Sequence, residues 1–88
     1  MKKTIKQELP KWFKGETYQE GGNVTNKFSG DSFELNNLEL SMYDFIMGSQ
    51  MVMEIMPKSV TQAHINDFHK ALTWFRRQNT DAYYVLLD

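Results

Sequence analysis

The stretch Leu35 to Pro57, LNNLELSMYDFIMGSQMVMEIMP, carries its own start and stop signals. Asn36 is a favourable N-cap, and Glu39 stands three residues later, where a capping box requires it. Leu35 before the cap and Leu40 after it are placed to close a hydrophobic staple. Pro57 lacks an N–H and disfavours helix at Met56, so the helix is expected over about 36–56. At 100° per residue its apolar side chains fall on two faces. Leu38, Met42, Phe45, Ile46, Val52, Met53 and Met56 share the first, with Ser49 a small gap; Leu40, Met47, Met51 and Ile55 share the second, beside Gly48. A helix apolar most of the way round is buried on more than one side. In a chain of 88 residues little material remains to cover both faces. Either the N-terminal segment wraps the second face, or a second copy of the chain covers it. Leu40, Met47, Met51 and Ile55 are therefore the candidate oligomer interface, and methionine suits a surface that must adapt to a partner.

Beyond Pro57, a second helix is expected over about 60–78, with Ser59 or Thr61 as its cap. Ile65, Phe68, Leu72 and Phe75 form one apolar face, and Arg76 and Arg77 suit the negative end of the helix dipole. Asn79 is placed to end it in a left-handed conformation. So short a connection makes the two helices an antiparallel pair. Trp74 is the misfit, an indole on the polar face, expected to be covered by the N-terminal aromatics or by a partner chain. The closing Thr80 to Asp88 mixes cap residues with Tyr83-Tyr84-Val85; a short final helix is favoured over a strand.

Before the first helix the chain reads as extended. Gly21-Gly22 is one turn signal and Ser29-Gly30-Asp31 a second, so about 16–35 predicts a β-hairpin with room for a short third strand. Phe28 and Phe33 are placed to pair across the second turn. The lysine-rich residues 1–10, ending in Pro10, predict a mobile basic arm ahead of a single small domain, 11–88. The fold class is α+β: an N-terminal hairpin, an antiparallel helix pair and a short C-terminal helix.

The residues hold little chemistry. With no cysteine, disulfides and thiolate catalysis are excluded. His64 and His69 lie five apart and do not share a helix face, so no metal set forms around them. Met47-Gly48-Ser49-Gln50 sits within a helix and lacks the second glycine of a nucleophile elbow. The expectation is a protein without enzymatic activity, cofactor or metal. A net charge of −1 with interspersed signs opposes a dedicated nucleic-acid or anionic-membrane surface, though it permits a local patch. No secretion signal is recognisable and Asp44 and Glu54 interrupt the most apolar run, so a cytoplasmic protein that does not span a membrane is expected.

Two functional readings follow. The leading one is a small interaction protein that homo-oligomerises through the Met-rich helix and acts by binding another protein. The alternative is a nucleic-acid accessory protein whose patch comprises Lys11, Trp12, Lys14, Trp74, Arg76 and Arg77, lysines and arginines meeting phosphates and indoles stacking on bases. Lys2, Lys3 and Lys6 are available to join it.

Several words of the chain are also similar to those of small proteins of marine phages, of the contractile-tailed cyanophage type. They are Lys11-Trp12-Phe13, Gly15, Tyr18 and Gly21, Val24, Asn26 and Phe28-Ser29-Gly30. Leu38-Glu39-Leu40-Ser41-Met42-Tyr43-Asp44-Phe45-Ile46, Trp74-Phe75-Arg76 and Leu86-Leu87-Asp88 complete the set. The resemblance implies a phage-encoded product in the cytoplasm of a marine host, or a marine environmental sequence. It implies no activity and no functional residue.

Overall fold

The computed structural model describes residues 7–87. Two short strands, β1 (Gly22–Thr25) and β2 (Ser32–Leu35), pair antiparallel and lead into three helices: α1 (Asn37–Ile55), α2 (Gln62–Gln78) and α3 (Thr80–Leu86). A 3-10 turn, Pro57–Ser59, joins α1 to α2. This is the expected α+β arrangement.

Local chemistry explains each boundary. Asn36 caps α1 by accepting the Glu39 N–H at 2.8 Å, and the Glu39 carboxylate accepts the Asn36 N–H at 3.0 Å, completing the capping box. Pro57 stops the helix by opening the 3-10 turn. Of the two candidate caps for α2, Thr61 is used: its hydroxyl accepts the His64 N–H at 3.1 Å. Asn79 does not turn left-handed. It sits at φ −150° and serves two helices, ending α2 through its own N–H on the Phe75 carbonyl and opening α3 by accepting the Ala82 N–H. That double use settles the C-terminal segment as a helix.

The hairpin occupies the later part of the segment expected to form it. Val24 lies opposite Phe33, and Gly22 opposite Leu35. Phe28 therefore does not pair with Phe33; it stands in the loop, fully exposed. The loop is held from within. Asn26 Oδ1 accepts the N–H groups of Phe28 and Ser29 at 2.8 and 3.3 Å, and its Nδ2 donates to the Val85 carbonyl of α3 at 2.9 Å. Gly30 takes the positive φ, +83°, that closes the turn. Residues Thr17 to Gln19 form no strand. The Tyr18 N–H goes instead to the buried Ser41 hydroxyl at 2.8 Å, and the Tyr18 carbonyl accepts from Asn37 Nδ2 at 3.3 Å. The first turns of α1 thus take up the hydrogen bonds that a partner strand would have supplied. Gly21 follows where the chain passes so close to the Leu35 carbonyl and Asn36 that a side chain would collide with backbone.

Contacts across the helix pair run in opposite order, Tyr43 against Phe75 and Ser49 against His64, as antiparallel packing requires. The core is one cluster: Leu35 from β2, Met42 and Ile46 from α1, Ala71 and Phe75 from α2, Ala82 and Leu86 from α3. The N-terminal segment lies over α1, with Trp12 and Phe13 ring centroids 6.2 and 5.5 Å from that of Phe45. Of the expected arm, residues 1–6 lie outside the described residues. Gln7 to Pro10 are tied down: Gln7 bonds both Glu39 and Asn36, and the Glu8 carbonyl accepts from Trp74.

Candidate functional site

The two apolar faces of α1 separate in the fold. The first is buried along Met42 and Ile46, whereas Met56 at its end is 52% exposed. On the second face, Met47, Met51 and Ile55 are 39%, 59% and 68% exposed. They lie four residues apart, so they form one stripe that spans about 12 Å of helix at 1.5 Å per residue. Gly48 opens beside them, with no atom near the position a Cβ would take. Leu40 leaves this set. It is half-buried, packed against the core, and sits over Gly22 of the hairpin. The hairpin therefore covers only the first turns of that face.

The stripe continues into a shallow groove. Phe28, Tyr43, Met47, Gln50, Leu86 and Leu87 line a hollow of about 280 Å³ between the hairpin loop, α1 and the end of α3. Burial holds the Tyr43 phenol above its ordinary pKa. Phe28 is the residue that sequence reasoning missed as a surface feature. A loop closed by the Asn26 side chain presents it outward, fully exposed. Only the turn signal Ser29-Gly30-Asp31 hinted that it would leave the ladder.

A second surface lies on the opposite helix. The N-terminal segment and the outer face of α2 enclose an open groove of about 420 Å³, its walls including Pro10, Trp12, His69, Lys70, Trp74 and Arg77. Trp74 meets the N-terminal segment, though through a backbone group rather than the expected aromatics: its Nε1 donates to the Glu8 carbonyl at 3.1 Å. Lys70 Nζ stands 5.9 Å from the centroid of the Trp12 ring. Of the six residues expected to form a patch, Trp12, Trp74 and Arg77 come together here. Arg76 turns the other way, over the Tyr83 ring at 6.0 Å. Lys11 and Lys14 are exposed on the same segment as Trp12 but do not line the groove. Lys70 and His69 join it, though neither was among the residues expected in the patch.

His64 and Ser49 meet at 3.0 Å between α1 and α2. Ser49 is buried and the Phe45 ring lies 6.2 Å from that of His64, so the pair satisfies two polar groups within the packing. His69 lies apart from it, at the rim of the tryptophan groove. Among the described residues no cluster of three or more His, Cys, Asp or Glu is placed to hold a metal ion, and no helix is long and apolar enough to cross a membrane. No family model matches the chain, and neither a curated protein nor a solved structure matches it.

Proposed function

We propose that this chain is a small interaction protein that pairs with a second copy of itself through the Met47–Met51–Ile55 stripe and, so assembled, binds another protein. The observation that carries this reading is the run of three large apolar side chains left in solvent on successive turns of the helix that also holds the core. Apolar side chains scattered singly over a surface need no explanation, whereas a contiguous set marks an interaction site. A stripe along one helix is self-complementary about a two-fold axis, so the same patch serves both partners. Met47 and Met51 can repack to meet a copy of themselves, and Gly48 lets the facing helix approach closely. Phe28, projecting at the edge of the same surface, supplies an aromatic anchor held ready by its loop. The resemblance to small phage proteins would set this work in the cytoplasm of an infected host.

Light scattering on a sizing column, over a dilution series, is the test. The expected mass is that of a dimer, twice 10.4 kDa, falling toward the single-chain mass on dilution. Met51→Lys and Met47→Lys should each give a folded protein of single-chain mass, because a lysine there meets solvent in the free chain and a partner's apolar surface in the pair. An unchanged mass in both folded variants overturns the proposal.

A further inference from the structure

The groove between the N-terminal segment and α2 is a different surface from the methionine stripe, and its chemistry is distinct. Two indoles form its apolar walls, and Lys70 and Arg77 form its charge. No Asp or Glu is among the residues that line it. The hydrogen bond from Trp74 Nε1 to the Glu8 carbonyl fixes the indole edge inward, so what Trp74 offers a ligand is ring surface rather than its N–H. Trp12 is braced on Phe45. Lys70, whose ammonium stands over the Trp12 ring, is an exposed residue of α2 and is placed to meet an incoming anion. At about 420 Å³ the groove has the size of a small-molecule site, yet it is open rather than enclosed.

A ligand that uses all of this must carry a flat ring and a negative charge a short distance from it. A proline-rich peptide would stack on the indoles but leaves two cations without partners. An acidic peptide would use the cations and waste the rings. A nucleotide unit uses both, and an open groove suits a strand that passes through it. Lys11 and Lys14, exposed on the segment that carries Trp12, offer further positive charge to such a strand. We infer that this groove binds single-stranded nucleic acid, one base lying against the indoles and the neighbouring phosphates meeting Lys70 and Arg77. Ring stacking of this kind accepts any base, because every base has a π-face. The site is local: the chain as a whole carries a net charge of −1, so the charge that attracts the strand is the pair of cations at the groove and not a general field.

Trp12 and Trp74 are the two tryptophans of the chain, so its intrinsic indole fluorescence reports on this groove alone. The experiment titrates the full chain with oligo(dT) of about ten nucleotides, within the site sizes of single-strand binders. Thymidine monophosphate, inorganic polyphosphate and a proline-rich peptide are titrated in parallel. The expected result is quenching by oligo(dT) and weaker binding of the other three. If two phosphates are neutralised, the single-strand salt law gives an affinity loss of about sevenfold from about 50 to about 200 mM salt. Arg77→Glu and Lys70→Glu, both at exposed positions, should bind more weakly than Lys58→Glu, an equal charge change on the 3-10 turn. Replacing either cation with a neutral residue, as in Arg77→Gln, should cut that salt loss to about 2.6-fold. Absence of quenching at low salt overturns the inference. Equal binding of polyphosphate does so as well, by removing the rings from the site. Tighter binding of the peptide, or of the mononucleotide, assigns the groove to another occupant and also overturns it. Equal weakening by Lys58→Glu would show a general charge effect and end the claim for this groove.

Discussion

On one side of α1, Met42 and Ile46 are closed over by Leu35 and Phe75; on the other, Met47, Met51 and Ile55 face solvent. The two sides have similar residues, so composition does not distinguish them. What differs is the material available to cover them. The first side receives α2, α3 and β2, whose buried residues form the single core. The hairpin reaches only Leu40 at the start of the second side, and the N-terminal aromatics are spent on Phe45. A short chain can cover one face of its longest helix and the beginning of another. Among the described residues, Met47, Met51 and Ile55 are what it leaves bare on that second side.

Substitutions on the two sides should differ in cost. Ile46→Ala removes buried methylenes from the core and should cost about 2–5 kcal/mol of stability. Met51→Ala, on the bare face, should change the stability of the separate chain by no more than about 0.5 kcal/mol. Denaturant melts at low protein concentration check both. Comparable losses at the two positions would mean that the bare face is covered within a single chain.

Gly48→Ala acts on the bare face alone. Its Cβ would meet no atom within the chain, and alanine is the better helix former, so the variant should gain about 0.5–1 kcal/mol at low concentration. In the paired form the added methyl stands where the facing helix approaches, so the same variant should dissociate at a higher concentration than the parent. Stability and association would then move in opposite directions, a result that a purely structural role for Gly48 does not give.

The smallest effect concerns Tyr43, which stands at the boundary: its ring is 6.3 Å from Phe75 on the core side, and it lines the Phe28 groove on the other. Burial raises its phenol pKa in the folded chain above the unfolded value of about 10. A raised folded pKa leaves its contribution to stability intact below about pH 10 and removes it as pH climbs through the folded value. Stability should therefore fall at alkaline pH, and less steeply in Tyr43→Phe. Identical alkaline slopes in the two proteins would contradict this. Tyr18, raised by desolvation and by the Asp44 carboxylate, contributes with the same sign and remains in both.

The helices were legible in the sequence because their ends are local chemistry. Asn36 with Glu39, Thr61 and Pro57 act within a few residues of themselves, and the structure uses each of them. The absent strand at Thr17 to Gln19 was not legible, because Ser41 and Asn37, more than fifteen residues away, take its hydrogen bonds. The exposure of Phe28 turned on Asn26, whose side chain both closes the loop and anchors it to α3. Residue type alone grouped Trp12, Trp74 and Arg77, but the Glu8 carbonyl that fixes Trp74, and the places of His69 and Lys70 beside it, depend on tertiary packing. The periodicity of α1 identified two apolar faces, while the decision about which one the chain could cover rested on tertiary packing.

We propose the bare face of α1 as a site of self-association. The most direct test is the solution mass of the parent chain and of Met51→Lys, measured by light scattering at the same concentrations. A dimeric parent and a folded variant of single-chain mass is the result expected. A parent that stays at 10.4 kDa at every concentration would contradict the claim.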